Sequence, residues 1–296
     1  MGKELADAYP ESRETFDAAD AALSDSLSRT CFEGSDAELA LTETTQPAIL
    51  TVSTAAGRAL FSRGVRPEAA AGHSLGEYSA HVAAGTMDFP EAVRTVRERG
   101  RFMQEAVPVG AGAMAAILGL DVARVEQLCA EAAGDEVVTP ANLNGPGQVV
   151  VAGHRDAVAR VIDGALDAGA KRAIPLPVSA PFHCSLMAPA AERLGPVLAD
   201  VSFGDPRIPV YANVDAAPVR ECNRARRALI EQVTSPVRWQ ACIESMVADG
   251  IDTFVEVGPG RVLSGLIKRI RREVDVYNVC DPEGVERVAV ALGGGS

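Results

Sequence analysis

The chain has 296 residues, 47% of them hydrophobic and 23% charged, enough to bury a sizeable core and too apolar for a disordered protein. Against 40 Asp and Glu stand only 28 Lys and Arg, and the resulting net charge of −12 argues against nucleic acid as a partner. No apolar run is long enough to span a bilayer, and residues 1–9 are polar and acidic, unlike a signal peptide or an anchor. The six cysteines (31, 129, 184, 222, 242 and 280) are too scattered for a disulfide frame or a zinc site, so free thiols in a reducing cytoplasm are expected.

Apolar residues at three- and four-residue spacing predict helices over 11–27 and 46–62. Gly64 and Arg66-Pro67 close the second. Ala69-Ala70-Ala71 reads as a short buried strand that runs into Gly72-His73-Ser74-Leu75-Gly76 and a helix over 75–84. Gly-x-Ser-x-Gly between strand and helix is the pattern of a nucleophile elbow, which lifts a serine hydroxyl clear of a sheet. Glycines at 72 and 76 would let strand and helix approach closely, and Ser74 would sit at the positive end of the helix, where a developing oxyanion is favoured. The same pattern also occurs as an ordinary turn in chains rich in Ala and Gly.

Asp88-Phe89-Pro90-Glu91 opens another helix, with Asp88 near the cap and Pro90 in the first turn. Val93, Val96, Gly100, Met103 and Val107 form its buried stripe, at spacings of 3, 4, 3 and 4. Arg94, Arg97 and Arg101 fall roughly 90–150° from the stripe's centre and read as a solvated face. Arg99 lies on the other flank, about 70° away, where it is partly buried and needs a carboxylate or similar partner; a substrate carboxylate qualifies.

From about residue 113 the pattern is strand 114–118, helix 122–133, strand 137–142, strand 148–152, helix 155–168 and strand 173–176. This β-α-β-β-α-β order describes a small ferredoxin-like unit. Gly110-Ala111-Gly112 and Pro175-Leu176-Pro177 bracket it, so residues 111–179 are expected as an insertion into a larger domain formed by 1–110 and 180–296. The larger domain resumes with a helix near 190–201 and strands at 210–213 and 253–257, with helices between and after them. The tail from Gly293 to Ser296 is expected to be flexible. An α/β sheet normally starts with a strand that feeds the first helix, yet this chain opens in helix.

A serine nucleophile needs a base, and there are four histidines. His73 adjoins the serine and is turned away by the elbow, His81 lies further along the same helix, and His154 belongs to the inserted unit. His183, in Ala180-Pro181-Phe182-His183-Cys184, lies in a stiff loop at the domain junction and can face a cleft there. A satisfied structural histidine would look the same. Several acids lie between Ser74 and His183, most of them in the inserted unit, and a backbone carbonyl could orient the imidazole instead.

Together these residues resemble the malonyl-CoA:acyl carrier protein transacylase family. The resemblance rests on Gly72-His73-Ser74-Leu75-Gly76-Glu77-Tyr78-Ser79-Ala80, the arginine 25 residues beyond Ser74 and the Pro-Phe-His ending 109 beyond it. Thr45-Gln46-Pro47-Ala48, Arg101-Phe102-Met103-Gln104-Glu105-Ala106, Asn142-Leu143-Asn144-Gly145-Pro146-Gly147-Gln148 and Val257-Gly258-Pro259-Gly260 agree with it, so it covers essentially the whole chain. It implies an α/β-hydrolase-like core with a parallel sheet and the ferredoxin-like insertion. It also implies Ser74 as the acylated nucleophile, His183 as its general base and Arg99 as the group that pairs with the malonyl carboxylate. By the same resemblance Gln46 lines the acyl pocket, the Leu75 N–H is one oxyanion donor, and the backbone carbonyl of Gln232 orients the histidine. Phe182 leaves little room for an α-methyl group. The family begins with a strand and a Pro-Gly-Gln-Gly-Ser-Gln loop whose glutamine backbone is the second oxyanion donor. Nothing like it precedes Met1, so a mis-set start or a boundary just after that loop is expected.

The implied substrates are malonyl-CoA and the phosphopantetheine thiol of acyl carrier protein, with no permanently bound cofactor or metal, in a cytoplasmic monomer supplying fatty acid biosynthesis. Acyl carrier protein is acidic, so docking needs a local basic patch. Lys171-Arg172 and Lys268-Arg269, with Arg271-Arg272, are the candidates, or are simply solvated charge. Two other functions stay open: a serine esterase or thioesterase, and an inactive truncated homologue that still binds carrier protein.

Overall fold

Helices build the first quarter of the computed structural model, which describes residues 1–178 and 180–293; the rest of the tail expected to be flexible, 294–296, lies outside the described residues. They are α1 (Lys3–Ala8), α2 (Pro10–Leu23), α3 (Leu27–Glu33), α4 (Asp36–Ala40) and α5 (Thr42–Ser62). The single helix expected over 11–27 is broken after Leu23, where Ser24 turns left-handed at φ 50°. Ser35 and Glu38 close a capping box that starts α4. The apolar stripe of α5 packs on α2, where the buried Ser12 hydroxyl donates to the Ala55 carbonyl at 3.0 Å.

The two-residue strand β1 (Ala70–Ala71) leads through the elbow into α6 (Leu75–Ala83), followed by α7 (Phe89–Glu105). Next come β2 (Gly112–Leu118), α8 (Val122–Ala133), β3 (Val138–Gly145), β4 (Gln148–His154), α9 (Arg155–Asp167) and β5 (Arg172–Pro175). These four strands form an antiparallel sheet in the order β3-β4-β2-β5. With α8 and α9 it has its own core, including Ile117, Val125, Leu128, Val151 and Val161. The sheet is stitched to the remaining chain through Val237, whose N–H donates to Ala141 and whose carbonyl accepts from Leu143, both at 2.9 Å.

Beyond it lie α10 (Ala188–Asp200), β6 (Val210–Ala212), β7 (Ala217–Val219), α11 (Cys222–Glu231), a 3-10 turn over Gln232–Thr234, α12 (Trp239–Ala248), β8 (Thr253–Val257), α13 (Val262–Ile270), β9 (Asp275–Val279) and α14 (Pro282–Leu292). The fold is mixed α/β. The one parallel sheet expected outside the four-stranded unit is divided among the described residues. β1 pairs parallel with β6, which pairs antiparallel with β7, whereas β8 and β9 form a separate parallel pair. A cavity of ≈ 990 Å³ lies between, lined by Ala70 and Ala71 on one side and Thr253 to Val257 on the other. Among the described residues β1 and β8 each pair with one strand.

Candidate active site

Ser74 caps the N-terminus of α6 with φ 51° and ψ −108°, and His183 has φ 62°; both are non-glycine residues in the positive-φ region that L-residues avoid. Such strain persists only where the surroundings over-determine it, and it concentrates at functional positions. At the elbow the constraint is visible. A Cβ on Gly72 would lie 1.9 Å from the Gly76 carbonyl group, so only glycine fits there. Nothing lies within 4 Å of a Cβ on Gly76, so the close approach expected of both glycines is required of one. The buried Asn213, one residue beyond β6, grips both sides of the turn. Its Oδ1 accepts from the Ser74 N–H and its Nδ2 donates to the Gly72 carbonyl, each at 2.8 Å.

The Ser74 hydroxyl lies 2.7 Å from Nε2 of His183, and Nδ1 of the same ring lies 2.9 Å from the Gln232 backbone carbonyl. A carbonyl only accepts, so Nδ1 carries the proton and Nε2 is free to receive the hydroxyl proton. The carbonyl stands where a carboxylate stands in a Ser-His-Asp triad. Burial, and then the charge of Arg99, push the imidazole's pKa down to about 3, which keeps it neutral.

Arg99, on α7, is only 1% exposed, deeper than its position on the stripe's flank predicts. Its guanidinium donates to Gln46 Oε1 at 2.6 Å, to Gln232 Oε1 at 2.9 Å and to Ser74 Oγ at 3.1 Å, and the Tyr78 ring centroid lies 5.5 Å from Cζ. Among the described residues no carboxylate reaches it as a salt-bridge partner. A buried cation whose hydrogen-bond partners are all neutral, and whose Nε–H has none among the described residues, is suited beside a nucleophile to pair with an anionic part of a ligand. Gln46 and Leu75 are buried, and half-buried Phe182 packs against both the helical core and the Met114–Cys184 cluster.

The other histidines serve elsewhere. His73 Nε2 lies 2.8 Å from Asn144 Oδ1, His81 Nδ1 lies 3.3 Å from the Thr86 hydroxyl, and His154 Nδ1 accepts from the Val137 N–H at 2.9 Å. The 990 Å³ cavity touches Gly72, His73, Leu75 and Gly76 but not Ser74, His183 or Arg99, so the reactive groups meet outside it. Glu77, Tyr78 and Asn213 are site residues that sequence reasoning did not single out. Glu77 and Tyr78 stood inside the motif itself; Asn213 carries no local signal beyond ending a strand.

Two of the basic residues lie by the β3–β4 turn. Exposed Arg269 donates to Gln148 at 2.6 Å, and Gly147 in the same β3–β4 turn lies against Gly119, which in turn meets Lys171. Lys268 donates to the Val274 carbonyl at 2.6 Å, and Arg172 is exposed at the start of β5.

Residues 1–285 match the family model described as acyl transferase domain. The chain belongs to that family. It is 48% identical to the malonyl CoA-acyl carrier protein transacylase of Bacillus subtilis (strain 168) over 97% of this chain and 90% of the relative. With that of Escherichia coli (strain K12) it shares 51% identity, covering 91% and 88% of the two chains. The structure of the malonyl CoA-acyl carrier protein transacylase from Coxiella burnetii superposes with a TM-score of 0.97 at 45% identity, covering 99% of this chain and 93% of that one. A malonyl-transacylase solved in complex with its type II polyketide acyl-carrier protein superposes with a TM-score of 0.95 at 44% identity, covering 100% and 95%.

Proposed function

We propose that this acyl transferase moves malonyl from malonyl-CoA to the phosphopantetheine thiol of acyl carrier protein, supplying fatty acid biosynthesis. The observation that carries the proposal is the convergence on Ser74 Oγ of a neutral imidazole at 2.7 Å and a buried guanidinium at 3.1 Å that makes no salt bridge among the described residues. His183 takes the hydroxyl proton as Ser74 attacks the thioester carbonyl. The oxyanion forms against the Leu75 N–H at the start of α6, and collapse expels CoA as its thiol, carrying that proton. The carrier thiol then gives its proton to His183 and attacks the serine ester, and serine leaves with the proton returned.

Arg99 holds the malonyl carboxylate through paired hydrogen bonds, for which its Nε–H has no partner among the described residues, while Gln46 lines the acyl pocket. The Gln232 carbonyl keeps His183 in its productive tautomer. Phe182, packed on two sides, limits space beside the base. A second reading, hydrolysis of the malonyl-serine by water, uses the same elbow but takes no advantage of Arg99.

We read residues 1–110 and 180–296 as an α/β-hydrolase-like core and 111–179 as a ferredoxin-like insertion, in a cytoplasmic monomer. The turn between β3 and β4 brings Arg269 and Lys171 to one side, and Asn144 on that hairpin bonds His73 of the elbow. We read Lys171, Arg172, Lys268 and Arg269 as the docking residues for an acidic carrier, a reading supported by the contact of Arg269 with that turn.

The test supplies malonyl-CoA and carrier protein together and measures malonyl-carrier and free malonate. Malonyl-carrier should dominate, and reversing the charges at 171, 172 and 269 should raise the carrier KM while sparing malonyl-CoA use. Mostly free malonate would establish the hydrolase, and an unmoved KM would remove the docking surface.

A further inference from the structure

Glu77 lies three residues beyond the nucleophile on α6 and is completely buried. Its Oε2 accepts two hydrogen bonds, from the Asn213 backbone N–H and from Gln232 Nε2, each at 2.8 Å. Both partners act on the reacting groups. Asn213 holds the Ser74 N–H and the Gly72 carbonyl, while Gln232 presents its backbone carbonyl to His183 and its Oε1 to Arg99.

A side-chain amide has a donor end and an acceptor end, and what faces each end decides which way it points. A guanidinium donates only and a carboxylate accepts. With Arg99 on one side and Glu77 on the other, the Gln232 amide has one orientation in which both ends are matched. Reversing it would set NH₂ against guanidinium and carbonyl against carboxylate, leaving both ends unpaired in a fully buried site. The same Nε2 also reaches the Ser74 carbonyl at 3.1 Å and Asn213 Oδ1 at 3.2 Å, so the amide ties the elbow to the diacid-binding arginine.

We propose that Glu77 is a positioning residue for the transfer: by fixing Asn213 and the orientation of the Gln232 amide, it aligns Ser74, His183 and Arg99 for a malonyl thioester. This rests on the proposed transacylase function. Glu77 touches no substrate. It acts through hydrogen-bond acceptance by one oxygen, which an amide oxygen at the same place can supply and a shorter side chain cannot.

The experiment uses the full chain with Glu77→Ala, Glu77→Asp and Glu77→Gln. Active sites are first counted as malonyl-serine by intact mass, and then kcat and KM are measured for malonyl-CoA and acetyl-CoA. Per active site, Glu77→Ala and Glu77→Asp should lose roughly 10- to 100-fold in kcat/KM for malonyl-CoA and about tenfold in preference over acetyl-CoA. Glu77→Gln should hold both within about threefold, because its oxygen can accept from the same two donors. A merely structural residue would reduce the count of active sites or the Tm while the surviving sites kept normal kcat/KM and preference, and that result overturns the proposal. So does a Glu77→Gln enzyme as impaired as Glu77→Asp; that pair decides the matter if Glu77→Ala does not fold. Absence of any malonyl-serine in the unaltered enzyme would instead remove the transacylase reading itself.

Discussion

Burial moves two groups of the site in opposite senses at the scale of single residues. It raises the Glu77 carboxyl from 4.5 to about 7, against the hydrogen bonds it accepts, and lowers His183 from 6.5 to about 3. The folded state therefore holds the Glu77 proton more tightly than the unfolded chain does. That contribution to stability is complete below about pH 4.5 and is lost as pH rises to 7, by about 3 kcal/mol at most. For His183 the folded state refuses a proton the unfolded chain accepts, so its contribution is complete above pH 6.5 and is lost as pH falls towards 3. Glu77→Gln removes the first effect and leaves the second. Urea unfolding should find the variant gaining on the unaltered protein between pH 5 and pH 8; an offset independent of pH would show that Glu77 does not titrate there. His183 and Arg99 were legible in the sequence because a stiff loop and a helical stripe each left one residue conspicuous. Glu77 was not, because its partners are 136 and 155 residues away in the chain and nothing local announces them.

Secondary-structure elements were readable where a period had room to repeat. The stripe of α7 and the β-α-β-β-α-β order from β2 to β5 both appear in the sequence, since each element is long enough to show its spacing. The three-residue β7 offers no period, and α1 is a six-residue helix stabilised by packing rather than by pattern. Helix α5 starts at Thr42, four residues before the expected 46, and runs through Pro47 in its second turn. The elbow joins two elements, and its glycines separate cleanly. Gly72→Ala drives a Cβ into the Gly76 backbone and should abolish folding of the turn and activity with it. Gly76→Ala, in the first turn of α6 with open space around it, should fold and gain up to about 1 kcal/mol. Equal losses from the two, measured by thermal unfolding and acylation rate, would contradict the asymmetry.

The whole molecule brings Ser74, His183 and Arg99 together beside the 990 Å³ cavity rather than within its lining. One side of the site is the helical core carrying Arg99 and Gln46; the other is the loop leaving the four-stranded unit, carrying Phe182 and His183. The link through Val237 and the bond between His73 and Asn144 hold those parts together, so the spacing of Ser74, His183 and Arg99 is set by packing over the entire chain. The order of elements from β2 to β5 was legible in the sequence. Composition and motif spacing did not reveal that the core sheet is divided around a 990 Å³ cavity, because strand neighbours depend on contacts between residues distant in sequence. The most direct measurement is the intact mass of the protein after brief exposure to malonyl-CoA or acetyl-CoA. The account predicts one malonyl group on Ser74, none in Ser74→Ala, and in Arg99→Ala a malonyl yield reduced to or below the acetyl yield. Malonyl retained in Ser74→Ala, or an Arg99→Ala enzyme that still prefers malonyl, would contradict it.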